Sequence, residues 1–164
     1  MSTDVVRRPP GSLWALAGFG LAVLITAVIG GLAAADAGGQ YAALAQPAWA
    51  PPSWLFGPVW TVLYVLIAIS GWLVWRRTGF GPALWVYAGQ LVLNALWTPL
   101  FFGAGWFGWA FAEITVLWLA IGATVVLFAR ISRAAAWLLV PYWLWVSFAA
   151  ALNFAIWQLN QGAS

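Results

Sequence analysis

Long runs of uncharged, apolar residues most restrict what this chain can fold into. One run lies between Arg8 and Asp36, a second separates Arg77 from Glu113, and a third follows Arg133. Six basic and three acidic residues make up 5% of the chain, whereas a soluble domain has about 25% charged residues. So few charges cannot cover the surface of a water-soluble globule. The sequence therefore predicts an integral membrane protein.

The composition also excludes several kinds of chemistry. The chain has no cysteine and no histidine. Disulfides, thiolate nucleophiles and iron–sulfur ligands are excluded, as are an imidazole base, histidine metal sites and histidine-ligated haem. Ser–His–Asp and Cys–His catalysis are excluded for the same reason. No metal site is predicted, because Cys and His are absent. No nucleic-acid partner is predicted, because the net charge of +3 comes from arginines that membrane orientation explains.

The predicted fold is all-α, an integral membrane bundle of five transmembrane helices in one domain. A helix that crosses a bilayer needs about 20 apolar residues, and charges and Gly/Pro clusters divide the chain into five such pieces. The predicted spans are 13–35, 54–75, 82–102, 106–129 and 134–158. The first is expected to be a true span, since it is longer than the about 7–15 apolar residues of a signal peptide. Close helix packing is expected at its glycines, Gly18, Gly20, Gly30 and Gly31.

The arginines predict an orientation. With five crossings, all of them fall on one side of the membrane, namely Arg7, Arg8, Arg76, Arg77, Arg130 and Arg133. By the positive-inside rule that side is cytoplasmic. The N-terminus is therefore predicted to be cytoplasmic and the C-terminus extracytoplasmic.

The connection 36–53 is the longest one. Three prolines stiffen it, Tyr41 and Trp49 give it aromatic surface, and it carries almost no charge. It is either a lid over a cavity between the helices or a loop in the headgroup region, where tryptophan is common. Its sequence favours neither alternative.

Polar and aromatic residues share helix faces deep inside three predicted spans. Trp60 and Tyr64 are four residues apart in the second span, and Gln90, Asn94 and Trp97 follow at helical spacing in the third. Two carboxamides at this depth must find partners and are expected to face the bundle interior. The residues alone favour hydrogen bonding between helices over ligand binding as the role of these carboxamides.

The fifth span repeats the pattern. Its inward stripe consists of Tyr142, Trp145, Ala149, and Leu152 or Asn153. Rings with a few amides suit a large, flat, apolar ligand. In the fourth span, Glu113 has no arginine on its side of the membrane, so it is protonated, hydrogen-bonded or close to interfacial water, and a structural role is expected.

Several of these motifs, in this order, resemble the TspO/MBR family of bacterial tryptophan-rich sensory proteins and mitochondrial translocator proteins (peripheral-type benzodiazepine receptors). The matching segments are PAWAPP at 47–52, GPVWTVLY at 57–64, GQLVLNALWTPLFF at 89–102, and Pro141-Tyr142 with Trp145, Leu152-Asn153 and Trp157. The resemblance implies a dimeric five-helix bundle with a cavity beneath the loop 36–53, in a bacterial cell membrane. It implies porphyrin ligands, and in mitochondrial members sterols and isoquinoline or benzodiazepine drugs.

The resemblance also implies which residues bind the ligand. Family pocket positions fall on Trp49, Trp60, Gln90, Asn94, Trp97, Trp109, Trp145, Ala149 and Leu152. The tryptophans matching Trp60 and Trp145 are linked to light-dependent degradation of protoporphyrin. The family's sterol-recognition pattern is not kept, since its places hold Leu152, Phe154 and Gln158. Without His or Cys to ligate haem iron, metal-free protoporphyrin IX is the expected ligand, and no cofactor is required.

Four functions remain open at this point. The leading one is tetrapyrrole binding in porphyrin handling, transport or stress regulation. The second is a light-dependent porphyrin-degrading catalyst, although the sequence offers no acid–base pair for an enzyme. The third is a carrier of sterol-like lipids, which lacks the internal repeat and intramembrane charges of transporters. The fourth is a packing subunit of a larger complex.

Overall fold

The computed structural model describes residues 12–162, and within that range every regular element is a helix. The α-helices are α1 (Ser12–Ala33), α2 (Ala37–Ala43), α3 (Phe56–Thr78), α4 (Pro82–Thr98), α5 (Phe107–Ile131) and α6 (Arg133–Leu159). A 3-10 turn, Ser53–Leu55, leads into α3, and a π-helix, Pro99–Gly103, follows α4. The all-α class is confirmed. Arg7 and Arg8 lie outside the described residues.

Four helical segments are long and apolar enough to cross a membrane. They are Ser12–Ala33, Ser53–Thr78, Phe107–Ile131 and Arg133–Leu159. The chain is therefore a multi-pass integral membrane protein, and the first predicted span is indeed a membrane-length helix. The α-helical part of the predicted third span has only 17 residues before the π-helix begins. The count of five crossings thus stays a prediction.

Local sequence signals explain where these helices begin and end. Gly79 ends α3 with a φ of 68°, a left-handed conformation that glycine adopts at little cost. Pro82 occupies the first position of α4, where its missing N–H would have no helical partner. Ser132 separates α5 from α6, and its hydroxyl accepts a hydrogen bond from the Ala135 N–H at 3.3 Å.

Hydrogen bonds between helices fix their directions. Arg77 Nη1 donates to the Ile131 carbonyl at 2.6 Å, so the carboxyl ends of α3 and α5 lie together. Trp72 Nε1 donates to the Ser12 carbonyl at 2.6 Å, which brings the start of α1 to the same end. The bundle therefore has an arginine end, with Arg76, Arg77, Arg130 and Arg133, and an opposite end that carries the loop 36–53.

Packing between α1, α3 and α4 is tight near the arginine end and leaves a cavity near the loop end. A Cβ placed on Gly71 of α3 would lie 2.7 Å from Tyr87 Cζ and 2.9 Å from Phe19 Cδ1, so packing is tight there. At the loop end, a Cβ on Gly31 or Gly57 would have no heavy atom within 4 Å. Close helix approach therefore occurs at Gly71 and, in the first span, at Gly30, where a Cβ would lie 3.4 Å from Thr98 Oγ1. That expectation is wrong for Gly18, Gly20 and Gly31, which likewise have open space around an added Cβ.

Candidate ligand cavity

A cavity of about 380 Å³ lies between α1, α3 and α4 near the loop end of the bundle. Binding sites for small molecules commonly have volumes of about 300–1,000 Å³. The lining comes from α1 (Ala27, Gly30, Gly31) and Ala34 just after it, α2 (Ala37, Gly38, Tyr41), the 3-10 turn (Ser53, Trp54), the first half of α3 (Phe56, Gly57, Trp60, Tyr64) and the α4–π junction (Trp97, Thr98, Phe102).

Three residues singled out from the sequence line this cavity: Trp60, Tyr64 and Trp97. The rings of Trp60 and Tyr64 stack with centroids 5.3 Å apart, because the two residues are one helical turn apart on α3. Sequence reasoning missed the opposite wall, which consists of Ala27, Gly30 and Gly31 on α1 and Ala34 just after it. Their spacing of three and four residues was the available signal, but small residues in a membrane helix predict packing before they predict a cavity.

A chain of side-chain hydrogen bonds holds the floor of the cavity. Tyr64 Oη donates to Asn94 Oδ1 at 3.1 Å, and Asn94 Nδ2 donates to Tyr142 Oη at 2.8 Å. Tyr142 Oη then donates to Gln90 Oε1 at 2.8 Å. Gln90, Asn94 and Tyr142 are all buried and do not line the cavity. They join α3, α4 and α6 and fix the Tyr64 hydroxyl, so the predicted amide stripe is a positioning network behind the cavity wall.

A second group of predicted residues lies one layer further in. Trp97 Nε1 donates to Asn153 Oδ1 at 3.0 Å, and Asn153 Nδ2 donates to the Phe107 carbonyl at 2.8 Å. Ala149, Leu152 and Asn153 surround a void of only about 10 Å³. The ring of Trp97 lines both this void and the large cavity, so it divides them.

The three remaining predicted residues do not reach the cavity. The Trp145 ring packs on Phe56 at 5.9 Å and on Phe148 at 5.4 Å, and its buried Nε1 has no partner among residues 12–162. Trp49 packs on the other side of Phe148 at 5.8 Å and is half exposed. Trp109 lies in a separate surface depression with Leu44, Trp106 and Trp157. Ligand binding by these three stays a prediction.

The loop 36–53 is tied down and contains the short helix α2, which the sequence reading did not predict. Tyr41 is buried and its hydroxyl donates to the Pro51 carbonyl at 3.1 Å, while Gln46 Nε2 donates to the Tyr41 carbonyl. Burial raises the pKa of Tyr41, which keeps this hydroxyl a donor. These bonds favour a folded lid over a loop lying loosely among headgroups.

Asn160, at the end of α6, fastens this lid and was missed in the sequence. Its Oδ1 accepts from the Ala45 N–H at 3.1 Å, and its Nδ2 donates to the Ala45 carbonyl at 3.0 Å. The same Nδ2 donates to the Ile156 carbonyl at 2.7 Å, which orients the amide. The contact joins residues 115 positions apart, and no local pattern indicates it.

Replacing Asn160 with alanine is expected to loosen the lid without unfolding the bundle. The Ala45 N–H would lose its acceptor, and a hydrogen bond is worth about 0.5–1.5 kcal/mol, so its exchange with deuterium should accelerate about three- to tenfold. Hydrogen–deuterium exchange in detergent micelles measures this. Peptides from α5 serve as the internal control, and unchanged exchange at 44–47 would contradict the assignment.

Glu113 lies on α5 outside the cavity lining. Both of its carboxyl oxygens are buried and have no hydrogen-bond partner among the described residues. The sequence left three alternatives for Glu113: protonated, hydrogen-bonded, or close to interfacial water. Among the described residues, the structure shows no hydrogen bond to its carboxyl group.

The sequence matches known proteins over most of its length. Residues 19–158 match the model of the TspO/MBR family. The translocator protein of Ovis aries is 43% identical over 127 residues, which is 74% of this chain and 75% of that protein. The tryptophan-rich protein TspO of Chlorobaculum tepidum is 42% identical over 124 residues, 73% of this chain and 78% of that protein. The human translocator protein is 41% identical over 127 residues, with the same coverage as the sheep protein. The cavity, its tryptophan wall and its amide network thus belong to a chain that is a member of the TspO/MBR family.

Proposed function

We propose that this chain binds flat, largely apolar ligands, above all tetrapyrroles such as protoporphyrin IX, in the cavity between α1 and α3. The observation that carries the proposal is the cavity itself, with the rings of Trp60 and Trp97 on its wall and the fixed Tyr64 hydroxyl at its floor. Ring faces favour a flat aromatic ligand, and one fixed polar group can orient it. Because the cavity is open on one side, a macrocycle larger than its volume can enter edge first.

The cavity supports metal-free porphyrin over haem. The chain has no histidine or cysteine to ligate iron. The two tyrosines in the lining already donate their hydroxyl protons, Tyr41 to Pro51 and Tyr64 to Asn94. An iron ligand would have to break one of these bonds. Sterol-like lipids and isoquinoline or benzodiazepine-type molecules are further candidate ligands of the same wall.

We also propose that α4 and the π-helix complete a fifth membrane crossing. The ends of α3 and α5 lie together through Arg77 and Ile131, so α4 must return the chain across the length of the bundle. The N-terminus is then cytoplasmic with the arginine end, and the loop end is extracytoplasmic. A homodimer, implied by the family, is part of the proposal.

Light-dependent porphyrin degradation is the alternative function that one observation favours. Trp60 lines the cavity and stacks on Tyr64, so the radical cation left when one ring gives an electron to an excited porphyrin can be shared with the other ring. Trp145 lies behind Phe56 and does not line the cavity. The two tryptophans should therefore differ in importance.

The test compares Trp60→Leu with Trp145→Leu in purified protein. Protoporphyrin IX is titrated in the dark and followed by its own absorbance, since tryptophan quenching would change with the variants. Loss of a stacking ring costs about 1–3 kcal/mol, so Trp60→Leu should weaken binding about five- to a hundredfold, and Trp145→Leu less than threefold. Illumination of the saturated samples then compares the rates of porphyrin loss.

Several outcomes decide between the functions. Wild-type titration that does not saturate would reject porphyrin binding. Saturable binding that neither substitution weakens would place the site elsewhere. Porphyrin loss no faster than that of free porphyrin in detergent would leave binding and remove the photochemical alternative. Thermal unfolding of both variants shows whether a weakened titration reflects damage to the fold.

A further inference from the structure

The cavity is not closed on all sides, and the position of its opening is informative. Five lining residues are exposed at the surface. They are Gly31 on α1, Gly38 on α2, Ser53 and Trp54 in the 3-10 turn, and Gly57 at the start of α3. We call the opening that they border the α1–α3 gap. No residue of α5 or α6 lines the cavity, so the gap is on the outer side of the bundle.

Only the two ends of the lid, at Gly38 and Ser53, border this opening. Residues 42–52 contribute nothing to the cavity lining. The lid is held on the other side of the bundle, by Asn160 at the end of α6 and by the Trp49–Phe148 contact. An aqueous route through the lid would require these contacts to break, whereas the gap is open as the structure stands.

The gap faces the surface that lipid covers. Neighbouring positions on α1 carry exposed apolar side chains, Val28 and Leu32. Trp54, at its rim, is 70% exposed, and exposed tryptophans of membrane proteins lie at the level of the headgroups. The gap therefore begins just below the headgroups. It continues toward Tyr64, which lies seven residues beyond Gly57, or about 10 Å deeper along α3.

We infer that flat lipophilic ligands pass between the acyl region of the bilayer and the cavity sideways, through the α1–α3 gap. The inference rests on the proposed function and specifies its access route and the phase that supplies the ligand. Glycines at the rim, Gly31 and Gly57, have no side chain to obstruct a flat molecule that passes between the two helices. The cavity then takes its ligand from the membrane-dissolved pool, without a step in water.

Leucine at the rim tests this route. Gly31→Leu and Gly57→Leu add a side chain where a Cβ meets nothing within 4 Å, so folding should be unaffected. Gly18→Leu is the matched control on the exposed face of α1, also with open space. With protoporphyrin IX delivered from phosphatidylcholine vesicles, both rim variants should slow association and dissociation at least tenfold relative to Gly18→Leu. Rates equal to those of Gly18→Leu would overturn the route.

Asn160→Ala separates the two routes. If ligands passed through the lid, this substitution would accelerate exchange about three- to tenfold, as it loosens the lid, and the rim leucines would have no effect, which would overturn the inference. If the gap is the route, Asn160→Ala leaves both rates within about twofold of wild type.

A chemical test does not depend on porphyrin. The chain has no cysteine, so Gly31→Cys and Gly57→Cys each introduce a unique thiol. In vesicles, a pyrene maleimide dissolved in the bilayer should react with these thiols at least tenfold faster than a charged, membrane-impermeant maleimide. The reverse order would show a water-facing gap and overturn the route, even if porphyrin binding were confirmed. A lipid-facing gap in a protein that binds no porphyrin would reject the proposed function alone.

Discussion

Replacing Gly30 with leucine is expected to weaken protoporphyrin IX binding strongly while leaving the fold intact. A Cβ on Gly30 would lie 3.4 Å from Thr98 Oγ1 and 4.0 Å from Tyr64 Oη, which is ordinary contact. The rest of the side chain must then occupy the floor of a cavity of about 380 Å³. A rigid, flat ligand cannot adapt to the lost space, and we expect protoporphyrin IX affinity to fall about a hundredfold, or about 2.7 kcal/mol.

The fold should tolerate this change because glycine is a poor helix former. Leucine in the interior of α1 gains up to about 0.8 kcal/mol of helix propensity over glycine. Thermal unfolding in detergent should therefore show an unchanged or higher midpoint, and Gly18→Leu provides the control for the added apolar surface. Undiminished binding by a folded Gly30→Leu protein would mean that porphyrin does not use this cavity.

Replacing Tyr142 with phenylalanine is expected to cause the largest loss of stability among single-atom changes in the bundle. Its hydroxyl accepts from Asn94 Nδ2 and donates to Gln90 Oε1, both at 2.8 Å, and the residue is fully buried. Leaving a buried polar group without a partner costs about 1–3 kcal/mol, so two orphaned amides should lower the free energy of unfolding by about 2–4 kcal/mol. Titration of the micelles with a denaturing detergent measures this.

Tyr87→Phe is the matched control. Tyr87 is also buried, but its hydroxyl only donates to the Ile67 carbonyl, at 2.9 Å, inside α3. That carbonyl keeps its helical partner, so the loss should be about 1 kcal/mol. Adding Gln90→Leu to Tyr142→Phe should restore part of the stability because it removes one orphaned amide. Equal losses for the two tyrosines would show that the network contributes no more than a single bond.

The helices were predictable because a bilayer imposes their length. Apolar runs ending at Arg76-Arg77 and at Arg130 gave the ends of α3 and α5 within about three residues. The helical spacing of Gln90, Asn94 and Trp97 likewise predicted an inward face, and all three point into the bundle. A repeating pattern within one helix is sufficient for both conclusions.

The sequence could not predict which of the inward-facing residues line the cavity and which pack against other side chains. Spacing shows that Trp60, Trp145 and Ala149 face inward, but which neighbour each meets depends on the angles between helices. Of these three, only Trp60 lines the cavity between α1 and α3. The Asn160 clamp was equally hidden, since it pairs a side chain with a backbone segment 115 residues away.

The unequal construction of the two cavity walls has a consequence for how ligand choice can change during evolution. The wall from α3 and α4 is cross-linked to α6 by Tyr64, Asn94 and Tyr142, so substitutions there disturb a shared network. The wall from α1 consists of small side chains, and among residues 12–162 the hydrogen bond that Trp72 Nε1 donates to the Ser12 carbonyl is the only one that ties α1 to another helix. Single changes at Ala27 or Ala34 can thus reshape the volume offered to a ligand at little cost in stability. Selectivity and stability reside in different helices, which lets one vary while the other is preserved.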